Sequence, residues 1–137
     1  MTLQFSTAVR NAMLNAIETA VGTSPIMKIR SGAQPANCAA ADSGTVLATI
    51  NLPSDWMAAA ASGSKYNLPA GGWEDSSADT GGTAAHFRIY DSGGSTCHLQ
   101  GSISTSGGGG DIQGSTVAIT SGQSVKVTLF GLTELNN

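Results

Sequence analysis

Charged side chains are scarce in this 137-residue chain, and their scarcity excludes several classes of function. Asp, Glu, Lys and Arg make up 11% of the residues, less than half of the roughly 25% that is usual in soluble domains. Six basic residues against nine acidic ones give a net charge of −3, so no basic stripe can bind nucleic-acid phosphates. With 40% hydrophobic residues, the composition also excludes charge-driven disorder.

Long hydrophobic runs and cysteines are scarce as well. No segment approaches the ~20 apolar residues of a membrane span, so no membrane partner is expected. Residues 1–14 lack the basic and apolar regions of a signal peptide, which predicts synthesis without export, where thiols stay reduced. The two cysteines, Cys38 and Cys97, are too few for a disulfide framework. We expect each to be a small buried apolar residue, with a disulfide between them as the alternative.

What the sequence does contain begins with one helix, predicted from about Thr7 to Val21. Ser6 is suited to cap its N-terminus, and Gly22 is suited to end it. Its apolar positions recur at helical spacing, with Met13 and Ile17 at the centre of a stripe of mostly small residues. We expect this stripe to pack on the protein's own sheet, with packing against another subunit as the alternative. The stripe consists of Val9, Ala12, Met13, Ala16, Ile17, Ala20 and Val21.

After residue 25 the pattern changes to short alternating runs between turn residues. Predicted strands cover residues 26–30, 45–52, 84–90, 96–104, 116–120 and 124–132, with a strand or turn at 55–58. The pair Gly93–Gly94 predicts a hairpin between the third and fourth of these strands. The fold class is therefore mainly β, an antiparallel sandwich or barrel of about seven to nine short strands with one N-terminal helix. We expect a single domain, in which residues 1–24 form an arm and a helix packed on the sheet and residues 25–137 form the β-structure.

The alternating runs also predict the core. In the last strand, Lys126, Thr128 and Phe130 should share the face opposite to the buried one. Trp56 should lie near the core, and Met13 and Ile17 should cover one side. The residues expected to be buried together are Phe87, Ile89, Leu99, Val125, Val127 and Leu129.

Catalytic chemistry has few candidates. An acid–base pair could combine His86 or His98 with Asp91, Asp79 or Glu74, but spacing alone supplies neither contact nor a tuned pKa. His86, Arg88 and Tyr90 share one strand face, which we expect to point to solvent or to a partner. A metal site would draw on both histidines and both cysteines, yet the adjacent Cys97 and His98 point to opposite faces. We therefore expect no enzyme, no cofactor and no metal.

Two other patterns are considered for ligand binding. The glycine run at residues 106–111 lacks the Gly-Lys-Ser/Thr ending of a phosphate loop. Four aromatic residues could line a sugar-binding surface or, as is more usual in a small β-domain, anchor the core. These four are Trp56, Tyr66, Trp73 and Tyr90.

Several stretches are distinctive as sequence: IRSGAQPANCAAADSGTVLATINLPSDWMAAAASG, GTAAHFRIYDSGGSTCHLQGSIS, SGGGGDI and SGQSVKVTLFGLTELNN. Together with TLQFSTAVRNAMLNAIE they resemble a family of small structural proteins of tailed bacteriophages and prophages. The resemblance covers nearly the whole chain and contains no catalytic motif. It implies a virion structural role, with assembly in the host cytoplasm and with the major capsid protein or tail proteins as partners.

Within that role we expect a capsid decoration or cement protein that also self-associates. The alternatives are a tail- or fibre-associated structural protein and a receptor- or glycan-binding module. A surface of Ser, Thr, Ala and Gly with few charges suits extensive packing against a partner, because little charge must be desolvated. Residues 2–5 and 32–44 are the predicted contact segments, since free backbone there could pair with a neighbour.

Overall fold

The computed structural model describes residues 3–68 and 73–134, and it is mainly β with one helix, as predicted. The helix α1 spans Thr7–Val21, the predicted range. Nothing in the described helical structure is long and apolar enough to cross a membrane. The strands are β1 Ile26–Arg30, β2 Val46–Asn51, β3 Ser64–Tyr66, β4 Glu74–Asp75, β5 Gly82–Thr83, β6 His86–Tyr90, β7 Cys97–Thr105, β8 Ile112–Gly114, β9 Ala118–Ile119, β10 Val125–Lys126 and β11 Gly131–Thr133.

One five-stranded sheet with the order β2-β1-β6-β7-β8 organises the molecule. Three two-stranded ladders, β10–β4, β11–β3 and β5–β9, accompany it. All pairs are antiparallel except β7–β8, which is parallel. The described residues form eleven strands rather than seven to nine, because the turn-rich segments divide into two- and three-residue pieces.

The ends of α1 follow the predicted capping. Ser6 is extended and its Oγ accepts a hydrogen bond from the Val9 N–H at 3.3 Å. Gly22, at φ 91°, donates its N–H to the Glu18 carbonyl at 2.9 Å, in a conformation that a side chain would strain. These local signals were sufficient to place both ends of the helix.

The orientation of α1 differs from the prediction. Leu14 and Val21 are buried, and Ile17 packs partly against the core. Val9 and Met13 are instead 44% and 41% exposed. The polar side chains of α1 bind the backbone of the neighbouring segment 57–63, and these contacts turn the predicted stripe outward. The three alanines of the predicted stripe, Ala12, Ala16 and Ala20, are exposed as well.

The core lies on one face of the five-stranded sheet. Cross-strand register places Met27 opposite Ile89, and Ile29 opposite Phe87, with all four side chains buried. Trp73 lies between two other rings, with centroids 6.1 Å from Trp56 and 5.2 Å from Phe130. The prediction of burial is confirmed for Phe87, Ile89, Val127 and Trp56, while Leu99, Val125 and Ile17 pack against this core partly buried.

Leu129 was wrongly predicted as a core residue, since it is 67% exposed. Phe130 is buried in its place. The strand β10 ends at Lys126, so the alternation of faces does not continue to residue 130. Instead, the Phe130 N–H donates to the buried Asn67 Oδ1 at 2.9 Å, which directs the phenylalanine ring inward.

Candidate functional site

The second face of the five-stranded sheet is polar, and it is buried. His86, Arg88 and Tyr90 are 0%, 1% and 2% exposed, so the expectation that they point to solvent or a partner was wrong. Residues 31–45 form a loop that covers them. Gly44 allows this loop to close, because a Cβ there would lie 1.7 Å from the Ser31 carbonyl oxygen.

Arg88, on the sheet, binds the backbone of the covering loop. Its Nη2 donates to the carbonyl oxygens of Cys38 at 2.8 Å and Asn37 at 3.3 Å, and its Nη1 donates to that of Ala40 at 3.2 Å. The same Nη1 pairs with the Asp42 carboxylate. A guanidinium has five donors in a rigid plane, which suits it to bind several loop carbonyls at once.

Asp42 is the carboxylate that binds the polar side chains of this face. It accepts from Arg30 Nη2 at 2.7 Å and from the Tyr90 hydroxyl at 2.6 Å, in addition to Arg88. Partial burial raises the pKa of Asp42, but the Tyr90 hydrogen bond and the two guanidiniums outweigh it and leave the pKa below its ordinary value. Burial and the bond to Asp42 raise the pKa of Tyr90 to about 12. We call Arg30, Asp42, His86, Arg88 and Tyr90 the arginine cluster.

His86 is the neutral member of the arginine cluster. Its Nδ1 lies 3.0 Å from the Gly32 carbonyl oxygen. Because that oxygen can only accept, we assign the ring proton to Nδ1, and the buried Nε2 has no hydrogen-bond partner among the described residues. Burial lowers the pKa of His86, and the charges of Arg30 and Arg88 lower it further.

The three carboxylates predicted as possible partners of a histidine accept hydrogen bonds from other groups instead. Asp91 accepts from the Ser95 N–H at 2.9 Å, Asp79 from the Thr49 hydroxyl at 2.8 Å, and Glu74 from the Ser124 hydroxyl at 2.6 Å. His98 lies exposed on β7. Within residues 3–68 and 73–134, no hydrogen bond or ion pair joins a histidine to a carboxylate, so the acid–base candidates are not brought together.

The two cysteines are free, half-buried thiols beside Arg88. Cys97 Sγ accepts from Arg88 Nε at 3.2 Å and lies 3.3 Å from the Leu99 carbonyl oxygen. Burial and the neighbouring Cys38 thiol raise the pKa of Cys97 to about 11. The described residues contain no group of three or more His, Cys, Asp or Glu side chains arranged to hold a metal ion.

The aromatic residues anchor the core rather than forming a sugar-binding surface. Trp56, Trp73 and Tyr90 are buried, and only Tyr66 among the four candidates is exposed, at 49%. Both indole N–H groups bind backbone oxygens: Trp56 donates to Gly22 at 3.0 Å, and Trp73 donates to Trp56 at 3.2 Å. A surface with one available ring offers little area for stacking against a sugar.

A second buried polar group, which the sequence analysis missed, lies between α1 and β3. The ammonium of Lys65, 1% exposed, donates to Glu18 Oε2 at 2.7 Å, Asn15 Oδ1 at 2.9 Å and the Ala58 carbonyl at 2.7 Å. We call Asn15, Glu18 and Lys65 the lysine cluster. Asn15 and Glu18 are three residues apart on one helix face, a spacing that is visible in the sequence, whereas their approach to Lys65 depends on the fold.

The lysine cluster is held in place by the backbone of residues 57–60. The Met57 N–H donates to Glu18 Oε1 at 3.4 Å, and the Ala60 N–H donates to Asn15 Oδ1 at 2.9 Å. The cluster forms part of the wall of a groove of about 910 Å³ between α1 and this segment. Each polar side chain therefore has a fixed position relative to the other two.

The basic residues of the chain are mostly turned inward. Arg30, Lys65 and Arg88 are buried, Arg10 and Lys28 are half-buried, and Lys126 alone is exposed. Five of the nine acidic residues are exposed: Asp42, Asp55, Glu74, Asp79 and Asp111. The outer surface is thus weakly acidic, and the outward face of α1 carries no charge.

Comparisons with known protein families, with curated proteins and with solved structures find no match for this chain. The features that bear on function are therefore the two polar clusters built around the buried Arg88 and Lys65, and the distribution of residues on the surface. In the arginine cluster every charge is used to fix a loop. The outward face of α1 is apolar and has no described intramolecular partner layer, which makes it the candidate contact surface.

Proposed function

We propose that the chain is a virion structural protein of a tailed bacteriophage and that it decorates and stabilises the capsid. The observation that carries this proposal is the outward face of α1. Val9 and Met13 are 44% and 41% exposed there, and Leu3, just before the helix, is 77% exposed. We call Leu3, Val9 and Met13, with the exposed alanines of α1, the helix surface.

The helix surface reverses the usual arrangement of an amphipathic helix. A helix on the outside of a protein ordinarily directs its charges to water. In α1 the only charged residues point inward: Arg10 Nη1 donates to the Glu134 carbonyl at 3.2 Å, and Glu18 binds Lys65 at 2.7 Å. Contact with a partner would bury apolar groups of the helix surface without removing any charge from water.

A surface of this kind would stabilise a capsid through contacts that are repeated over many copies. Specific protein–protein interfaces bury on the order of 1,000 Å² or more of surface. A protein that bridges several capsid subunits gains avidity, because each additional contact forms within an assembly that is already held together. The role requires no catalytic group, in accord with the resemblance to phage structural proteins.

The two predicted contact segments support the proposal in different ways. In the segment 2–5, Leu3 is exposed and belongs to the helix surface, while Thr2 lies outside the described residues. In the segment 32–44 part of the backbone is already engaged, since Arg88 binds three of its carbonyl oxygens. It could contact neighbours through exposed side chains instead: Ala33, Gln34, Ala36, Asn37, Ala39 and Ala41.

A tail- or fibre-associated position is the second candidate, because the same helix surface would serve contacts in a ring or a trimer. The receptor- or glycan-binding alternative has less support, since three of the four rings it would use are buried. Antibody labelling of purified particles separates the first two positions. Label over the whole head supports decoration, label confined to the tail moves the role there, and unlabelled particles would overturn both.

A variant test links the helix surface to particle binding. Met13→Glu places a charge at the centre of the surface, and we expect fewer copies per particle with unchanged thermal stability of the isolated protein. Leu129→Glu is the matched control, because Leu129 is an exposed apolar residue outside the helix surface. Equal occupancy of particles by the Met13 variant and the parent would show that this face is not the contact.

A further inference from the structure

We propose that Lys65 and Asn15 form an intramolecular isopeptide bond between Nζ and Cγ, with Glu18 as the catalytic proton carrier. The bond would tie α1 covalently to β3. This inference rests on the lysine cluster alone, so it does not depend on the proposed virion role.

The amine and the carboxamide are already in contact. Lys65 Nζ is 2.9 Å from Asn15 Oδ1. A C=O bond is about 1.23 Å long, so Nζ cannot be farther than about 4.1 Å from Cγ. Reacting atoms in a near-attack arrangement are about 3–3.5 Å apart, a distance that rotations about the side-chain bonds can supply. Lys65 is 1% exposed, whereas Asn15 is exposed and borders the groove, so the departing ammonia has a path to solvent.

Glu18 provides the proton transfer that the reaction needs. An ammonium has no lone pair, so Nζ must lose a proton before it can attack. Glu18 Oε2 accepts a hydrogen bond from Nζ at 2.7 Å and is the nearest base to it among the described residues. The Met57 N–H holds the other carboxylate oxygen at 3.4 Å, which keeps Oε2 directed at the amine.

The carbonyl of Asn15 is polarised by the backbone. The Ala60 N–H donates to Asn15 Oδ1 at 2.9 Å. Attack at Cγ places negative charge on Oδ1, and a donor already aimed at that oxygen stabilises the developing charge. The cluster thus contains an amine, a proton acceptor, a carboxamide and an oxyanion donor.

The reaction balances without an oxidant or a cofactor. Neutral Nζ attacks Cγ, and the Nζ–Cγ bond forms as the carbonyl electrons move to Oδ1. The Cγ–Nδ2 bond then breaks, and Glu18 delivers a proton from Nζ to the departing nitrogen. A secondary amide and one molecule of ammonia are formed, so the mass of the chain falls by about 17 Da.

Asn11 offers a matched control on the same helix. It lies one turn before Asn15, and its Oδ1 accepts a hydrogen bond from the Gly63 N–H at 2.9 Å. It therefore resembles Asn15 in its backbone contact but has no described hydrogen bond from a lysine. Asn11→Ala should leave the cross-link intact, whereas Lys65→Arg and Glu18→Gln should abolish or strongly slow it.

Mass spectrometry of the purified full chain tests the proposal directly. We expect a mass about 17 Da below that of the unmodified chain, the loss of one ammonia. Trypsin should not cleave after an amidated Lys65, so digestion should give a branched peptide that joins residues 11–28 to residues 31–88. An unmodified mass, persisting after prolonged incubation of the folded protein, would overturn the proposal.

A loss of the same mass carried by a linear peptide would also overturn it, because it would show a succinimide at an asparagine instead of a cross-link. The parent protein decides the question even if a cluster variant fails to fold. Particle labelling, in contrast, reports only on the proposed function, so the two proposals can fail independently.

Discussion

The two faces of the five-stranded sheet are both buried, but by different chemistry. One face packs Met27, Ile29, Phe87 and Ile89 against a layer of aromatic rings. The other carries the arginine cluster, and a loop with many backbone oxygens covers it. The first face is stabilised by removing apolar area from water, and the second by pairing each buried charge. Polar alternation along a strand therefore does not show that its polar side meets solvent.

The largest effect is expected when a charge is placed on the wrong face. Ile89→Asp would put a carboxylate at a fully buried position among apolar neighbours, where nothing pairs it. We expect a loss of about 5 kcal/mol or more in the free energy of unfolding, enough to unfold the chain. Urea denaturation followed by circular dichroism measures it. A urea midpoint equal to that of the parent would contradict the assignment of this face.

The second-largest loss of stability is expected when the Arg88 charge is removed from the polar face. Arg88→Met removes the donor of three loop carbonyls and one of the three donors to Asp42, and we expect a loss of about 3–5 kcal/mol. Lys28→Met is the matched control, because Lys28 lies on the same face but is half-buried, with Nζ 4.9 Å from the centroid of the Tyr90 ring. It should cost less than about 1 kcal/mol. Similar losses for both variants would mean that the loop is not fixed by Arg88.

The cover of the polar face can be tested without touching a charge. Gly44 and Gly122 both have positive φ, at 67° and 83°, so alanine is strained at either position. Only at Gly44 would the new Cβ collide, with the Ser31 carbonyl oxygen, whereas a Cβ at Gly122 would meet no described atom within 4 Å beyond its chain neighbours. Gly44→Ala should cost roughly 1–3 kcal/mol more than Gly122→Ala in urea unfolding. Equal costs would show that the loop closes differently.

Acidification should give the smallest effect, and His86 and Asp42 of the polar face contribute to it. The folded-state pKa of His86 lies below its ordinary value of 6.5, so the unfolded chain binds this proton more readily. Its contribution to stability is present above about pH 6.5 and is lost as the pH falls below it. The lowered pKa of Asp42 acts in the same direction below about pH 3.8.

Urea midpoints measured from about pH 8 to about pH 5 follow the first of these transitions, because this interval brackets the ordinary histidine pKa of about 6.5. His86→Gln should flatten the dependence on pH, and His98→Gln, at an exposed position on β7, is the control. A slope that survives the His86 substitution would assign the effect to another group.

Much of the local structure could be predicted from the sequence. Ser6 and Gly22 gave both ends of α1, and the residues of β1 match the predicted strand. Local rules act over a few residues, so they are visible in a short window. The hairpin at Gly93 and Gly94 likewise needed only two strands and a turn.

The tertiary choices could not be predicted in the same way. The face of α1 that turns inward is decided by Asn15 and Glu18 binding Lys65, which is about 50 residues away in sequence. The burial of Arg88 depends on carbonyl oxygens of a loop 48 to 51 residues earlier. Neither contact leaves a periodic signal, and the apolar spacing of α1 favours burial of the stripe that the fold turns mostly outward.

The separation between Arg88 and its loop also has a consequence for the order in which the chain can fold. Residues 31–45 leave the ribosome well before Arg88, and until that residue arrives their carbonyl oxygens remain hydrated. Closing the roughly 46 to 51 intervening residues costs entropy before any contact is regained, so proteins rich in such distant pairings fold slowly. The loop should therefore become protected from hydrogen exchange late in refolding, after α1, whose ends are fixed by neighbours only a few residues away.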